Sequence, residues 1–322
     1  MTSRAAFPIG GVTVPAGRRQ EVGLLFSRLV TGSDVSIPVM VLHGRRDGPT
    51  VWLDAAIHGD EVCGVEIIRR VMRRIDVRRL AGTVVAVPIV NVHGFMSGDR
   101  YLPDRRDLNR SFPGNPRGSL AGRIAHLMMT EIVSRSSVGI DLHTGSDHRS
   151  NLSQVRADLD DPVTRELATT FGAPVMIHAQ TRDGSLRHAA REVGARVLLY
   201  ETGEAWRFDE RGIETGVDGI MRVLRALEMF DAGELDPGSE PLESRRTRWV
   251  RATRSGILHL DATPGQMVTR RDRLGVVYDA FGRRLCDVRA VTSGIVIGCT
   301  QYPLVTRGDA LVHVAEVTSQ PE

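Results

Sequence analysis

Between residues 21 and 230 two periodicities take turns along the chain, and their alternation restricts the fold more than any other feature. Apolar, β-branched runs occupy 21–30, 36–43, 50–57, 83–90, 137–143, 174–178 and 196–200, while segments of helical period lie near 61–76, 119–135, 161–171, 185–193 and 210–230. Such a succession predicts an α/β domain, a mixed, largely parallel sheet covered by helices on both faces. In open sheets of this kind ligands gather beyond the carboxyl ends of the strands. His58, His143 and Glu201 all fall at such ends.

The texture then changes. Residues 231–245, rich in Pro, Gly, Ser and acidic side chains, read as a linker. Beyond it, short β-type runs are punctuated by Gly256, Gly265, Gly275, Gly282, Gly294, Gly298 and Gly308, which predicts a small all-β unit. The expected division is a domain over 1–235 and a β-rich domain over 246–322. Two stretches of the latter are alike, with Ser-Gly-Ile at 255–257 and 293–295 and Val-Thr-Arg at 268–270 and 305–307. This resembles the barrel-sandwich hybrid of lipoyl and biotinyl domains. All 42 basic residues are arginine, so no lysine is available to carry such a group. A Schiff-base lysine and a phosphate-loop lysine are excluded with it, and the tail is expected to serve as a substrate lid or an oligomer contact.

The chemistry concentrates in three blocks. Residues 51–61, VWLDAAIHGDE, end an apolar run at His58 with Glu61 three positions on; Asp107-Leu108-Asn109-Arg110 and Asp141-Leu142-His143-Thr144 follow. Two imidazoles and one carboxylate at strand ends are the ligand set of a catalytic zinc site, which keeps a fourth position open. Glu61 alone has a duller reading, as an acid favoured in the first turn of helix 61–76, and either histidine alone could be a core residue. Both histidines together, with Asp141 placed to orient His143 from behind, argue for the metal. The loop between them carries Arg100, Asn109 and Arg110. Asn109 and Arg110 offer amide and guanidinium donors that suit a substrate carboxylate, and Arg100 is a candidate for polarising a carbonyl. Arg105 and Arg106 are expected to pair with acids on the surface.

The ordered set His-Gly-Asp-Glu, Asp-Leu-Asn-Arg, Asp-Leu-His-Thr and a later Glu-x-Gly resembles the succinylglutamate desuccinylase/aspartoacylase family, a relative of the zinc carboxypeptidases, over residues 20–230. The resemblance implies a zinc carboxypeptidase-like fold with one zinc ion per chain on His58, Glu61 and His143. It further implies that Asn109 and Arg110 hold the substrate carboxylate, that Arg100 polarises the scissile carbonyl and that Glu201 is the general base, with Glu204 a near rival. The implied activity is a zinc-dependent deacylase, an amidohydrolase cleaving an N-acyl amino acid or a similar small N-acylated amine. A carboxypeptidase and an inactive binding protein are the alternatives.

Bulk properties limit the partners. A net charge of +3 is too mild to argue for nucleic acid, and no apolar run reaches the roughly 20 residues of a membrane span. The arginine pairs at 69–70, 73–74 and 78–79 lie opposite Val65, Ile68, Met72 and Ile75 and read as a solvated helix face. Cys63, Cys286 and Cys299 are irregularly spaced, which predicts reduced thiols. With no secretory apolar stretch at the N-terminus, a cytoplasmic location is expected. A homo-oligomer is left open.

Overall fold

A computed structural model of the chain describes residues 4–146, 148–230 and 238–317. The strands Arg18–Arg28, Asp34–His43, Arg46–Ala55, Ala81–Val87, Val138–Gly145, Val175–His178 and Arg196–Glu204 stand where the apolar runs predict them. The strand Arg46–Ala55 shows why these runs are nearly continuous. Its successive side chains point to opposite faces of the sheet, and both faces are covered. Val51, Leu53 and Ala55 enter the core beneath helices Cys63–Arg74, Pro162–Phe171 and Glu210–Ala226, whereas Trp52 enters the core beneath Leu120–Glu131 and Leu186–Glu192. A strand buried on both sides has no polar face to alternate.

The sheet is mixed, and its parallel pairings fall in two blocks. Arg46–Ala55 runs parallel to both Ala81–Val87 and Val138–Gly145, and Val138–Gly145 runs parallel to Arg196–Glu204. Antiparallel pairs flank this block, and beyond one of them Val175–His178 runs parallel to both of its neighbours, Arg149–Ala157 and Leu242–Arg251, so the sheet is mixed rather than largely parallel. Helix Cys63–Arg74 is clasped to Glu210–Ala226 by Arg70–Glu210 and Arg74–Asp218, so part of the expected solvated arginine face is paired.

Strand Arg149–Ala157, which no periodicity predicts, lies between Arg196–Glu204 and Val175–His178. Its sequence RSNLSQVRA is polar because several of its side chains line a cavity instead of packing in a core. A pattern based on apolar burial does not register such a strand.

The expected linker 231–245 is corrected at its C-terminal end. Residues 231–237 lie outside the described residues, and from Leu242 the chain is already the strand Leu242–Arg251. Leu242–Ser244 pair with Val175–Ile177, so the backbone donors and acceptors of those residues are used in the sheet. Ala310–Val317, Gly294–Thr300 and Met267–Val268 then extend the same sheet to twelve strands. A second layer, formed by Gly256–Leu260, Arg273–Tyr278, Arg284–Arg289 and Leu304–Val305, encloses a core of Leu258, Leu274, Val277, Val296 and Leu311 against it. The described tail is thus all β, and one of its two layers belongs to the main sheet.

The two similar halves of the tail are interlocked. The short strand Met267–Val268 of the first pairs with Gly294–Thr300 of the second, and the short strand Leu304–Val305 of the second pairs with Gly256–Leu260 of the first. Each Val-Thr-Arg block ends in the same turn: the Thr269 amide donates to Asp272 and the Thr306 amide to Asp309, both at 2.7 Å.

The loop after strand Arg46–Ala55 is tightly built. Ala56 adopts φ +50°, and its carbonyl accepts from the Asn91 amide at 2.9 Å. A Cβ on Gly59 would stand 2.0 Å from the backbone carbon of Gly94. Since backbone would meet backbone, Gly59→Ala is expected to destabilise the fold by about 1–3 kcal/mol or more. Chemical denaturation checks this, and an unchanged midpoint would contradict the packing described.

Candidate active site

Three strands and the loop that follows the first of them converge at the carboxyl end of the central strands. His58 follows Arg46–Ala55, separated from it by the strained turn at Ala56. His143 and Glu201 lie inside their strands rather than beyond them, side by side in parallel register. Helix Cys63–Arg74 begins two residues after Glu61, which sits in the preceding turn with its amide on the His58 carbonyl. The helix-dipole reading of Glu61 therefore fails; the acid in that first helical turn is Glu66.

Glu61 is 2 % exposed and bridges the two imidazoles. His58 Nδ1 is 2.7 Å from its Oε1 and His143 Nδ1 is 2.7 Å from its Oε2. Donor atoms of His58, Glu61 and His143 lie within 4.8 Å of one another. Each ring turns its other nitrogen to a second carboxylate. His58 Nε2 is 3.2 Å from Asp107 Oδ1, and His143 Nε2 is 2.8 Å from Asp141 Oδ1, although the latter N–H does not point at the oxygen. Both Asp141 oxygens are buried and lack a hydrogen-bond partner among the described residues. An imidazole backed by a carboxylate is the arrangement that orients a metal-ligating histidine. The donor set and its backing acids therefore fit a divalent cation held by His58, Glu61 and His143.

Electrostatics agree with this geometry. Burial pushes the Glu61 carboxyl up, but the facing charges and hydrogen bonds of His58 and His143 outweigh it and hold Glu61 below the usual range. For the two histidines burial favours the neutral ring, yet Glu61 with Asp107, and Asp141 with Glu61, raise both pKa values, that of His143 well above normal.

A cavity of about 520 Å³ opens over this cluster. His58, Glu61, His143, Arg100, Asn109, Arg110 and Glu201 all line it, so the residues singled out in the sequence are brought together. Arg100 sits 3.3 Å from Glu61 Oε1 and 3.2 Å from Asp107 Oδ2. Asn109 is buried, and its Oδ1 accepts from the Leu186 amide at 2.9 Å, which fixes the loop to the start of helix Leu186–Glu192. Arg110 Nη1 donates to the Asn109 carbonyl at 2.5 Å. Glu201 receives the Asn151 amide at 2.6 Å and lies 3.4 Å from Arg156 Nε. Cys63 stays outside the cluster, with its thiol on the Arg207 carbonyl and its pKa pushed up to about 11 by burial.

Other cavity residues carry no sequence signal. Arg149, Asn151 and Arg156 come from the polar strand, and Thr247, Trp249 and His313 from the tail. Trp249 and His313 stack with centroids 4.1 Å apart, and the Arg149 guanidinium lies 5.5 Å from the indole centroid. Burial, aided by Arg156 and Arg149, pushes the His313 pKa down to about 3, so this wall ring is neutral. The tail is part of the site.

Residues 47–227 match the family model described as the succinylglutamate desuccinylase/aspartoacylase catalytic domain. The chain belongs to the succinylglutamate desuccinylase/aspartoacylase family. Among relatives, the N-alpha-acetyl-L-2,4-diaminobutyric acid deacetylase of Halomonas elongata is 30% identical over 301 residues, spanning 88% of this chain and 86% of the relative. The succinylglutamate desuccinylase of Pseudomonas aeruginosa is 27% identical over 73% of each chain. Both names describe removal of an acyl group. A solved succinylglutamate desuccinylase/aspartoacylase from Rhodobacter sphaeroides superposes with a TM-score of 0.83 at 28% identity, covering 93% of this chain and 96% of that one. The product-bound ectoine utilization protein of Ruegeria pomeroyi shares the fold, with a TM-score of 0.84 at 24% identity over 95% of this chain and 98% of its own. The 93% coverage by the Rhodobacter sphaeroides structure takes in most of the tail, so the likeness of fold extends past the matched catalytic part.

Proposed function

We propose that this chain is a zinc-dependent amidohydrolase that removes the acyl group from a small N-acylated amino compound bearing a carboxylate. The observation that carries the reading is the convergence of a buried His-Glu-His donor set, a separate carboxylate and several guanidinium groups on one cavity. Zinc bound by His58, Glu61 and His143 would supply Lewis acidity and a nucleophilic water near neutral pH. Glu201 would accept the proton of the attacking water and return it to the departing amine. Arg100, the one arginine in contact with Glu61 among the described residues, would stabilise the developing oxyanion. Arg110 and the amide of Asn109 would hold the substrate carboxylate. Glu201 is preferred over Glu204 as the base because Glu201 lines the cavity and Glu204 is absent from that lining.

The deacylase relatives and the tail wall both favour a small substrate over a polypeptide, and an N-acetyl or N-succinyl amino acid is the class they support. We keep the division into a catalytic domain over 1–235 and a β-rich domain, the second beginning with the strand Leu242–Arg251 rather than at 246 and closing the site of the first. The three cysteines are free, which supports a reducing compartment, the cytoplasm. Among the described residues no helix is long and apolar enough to cross a membrane.

The test is a screen of the zinc-loaded protein against N-acetyl, N-succinyl and N-formyl amino acids, reading free amine, with each substrate also offered as its methyl ester. Release from free acids, loss on chelation and a marked preference over the esters are expected. Equal turnover of acids and esters would remove the role given to Asn109 and Arg110, and no release from any of them would remove the deacylase reading.

A further inference from the structure

We infer that Asn151 is a positioning residue for the base and that the C-terminal unit keeps it in place through Gly298. The inference rests on the reading of Glu201 as base. Asn151 Nδ2 donates to Glu201 Oε2 at 2.6 Å, and a carboxylate can only accept, so this bond fixes which end of the amide faces the base. Its Oδ1 is thereby turned elsewhere. It meets the tail: a Cβ built on Gly298 would stand 2.6 Å from Asn151 Oδ1, while the next nearest atoms are at 3.6 and 3.7 Å, ordinary contact distances.

The backbone explains why the tail reaches this spot. Asn151 is the register partner of Gly203, two residues from Glu201, and also of Gly298 on the tail strand Gly294–Thr300. The pairing continues through Cys299 with Ser150 and Thr300 with Arg149, and Gln154 Nε2 donates to the Ile297 carbonyl at 3.2 Å. The tail strand is therefore fixed against the strand bearing Asn151, and the bare Cα at 298 is the space into which the amide fits. Any side chain there displaces the carboxamide, because the atom in the way ends a flexible side chain and the backbone around it is clear. The base would then lose a donor that holds its carboxylate in one orientation, at a position 97 residues further along the sequence than Glu201.

The experiment compares Gly298→Ala, Asn151→Ala and the double variant in the zinc-loaded full chain, on the N-acyl amino acid turned over fastest in the screen. For Gly298→Ala and for Asn151→Ala alike, kcat should fall by about tenfold, with KM within about twofold and zinc content unchanged. The double variant should be no slower than Asn151→Ala, since the two act through one contact. In a Glu201→Gln background neither change should alter the residual rate. A crystal structure of Gly298→Ala, independent of any activity, should show the Asn151 amide moved beyond hydrogen-bond distance of Glu201. Losses that multiply in the double variant, losses that appear in KM, or an unbroken Asn151–Glu201 contact in that structure would each overturn the inference. If Gly298→Ala fails to fold, the KM-against-kcat split of Asn151→Ala decides it. Full turnover by Glu201→Gln would instead remove the base reading, while an inactive Glu201→Gln beside unimpaired Gly298→Ala and Asn151→Ala would sink this inference alone.

Discussion

Glu201→Gln leaves the metal content near one ion per chain and lowers kcat by roughly 10²–10⁴-fold, the range expected when a positioned proton acceptor is lost. The substitution keeps the shape of the side chain and its place beside Asn151 and Arg156. It does not disturb the donor set, because Glu201 makes no hydrogen bond or ion pair to His58, Glu61 or His143 among the described residues. Metal analysis and steady-state kinetics together check the prediction. Turnover retained within a few-fold would take Glu201 out of the mechanism, and loss of metal would show that it supports the donor set instead.

Glu61→Gln has the opposite signature: metal content falls close to zero, and activity falls with it. The carboxylate lies between two buried imidazoles, and a neutral amide supplies no charge to balance a divalent cation in that position. Elemental analysis after dialysis reads the outcome directly, and near-stoichiometric zinc in the variant would exclude Glu61 as a ligand. The same groups give metal binding a definite pH dependence. In the metal-free protein the facing carboxylates hold both His58 and His143 above the ordinary histidine pKa, against the effect of burial. Zinc binds neutral rings, so each bound proton must leave. Affinity is therefore weak below the raised values and grows as pH rises through them, by up to about tenfold per pH unit for each proton displaced. Calorimetry in buffers of different ionisation enthalpy counts those protons, and a pH-independent affinity would contradict the assignment.

The parts of the molecule that were legible in the sequence are those where burial alone decides the residue types. Val51, Leu53 and Ala55 face one core and Trp52 the other, so the strand appears as an unbroken apolar run. The donors His58, Glu61 and His143 stand out because polar side chains interrupt or end such runs. Strand Arg149–Ala157 was not legible for the converse reason: it pairs as an interior strand yet presents Arg149, Asn151 and Arg156 to the cavity. Trp249 and His313 acquire their place only when strands Leu242–Arg251 and Ala310–Val317 join the main sheet. No local spacing encodes that pairing, and texture alone marks the tail as a separate unit. The start of helix Cys63–Arg74 shows a smaller difference, since Glu61 is committed to the two histidines and the helix begins only after it.

The shared sheet has a practical consequence for anyone shortening this protein. Cutting the chain before Leu242 would bare the outer rim of Val175–His178 and the first residues of Arg149–Ala157, both of which bond to tail strands. Such a truncated chain would present an uncovered row of amides and carbonyls, a template for other chains to stack against. Precipitation, rather than a smaller soluble hydrolase, is the fate in store for it.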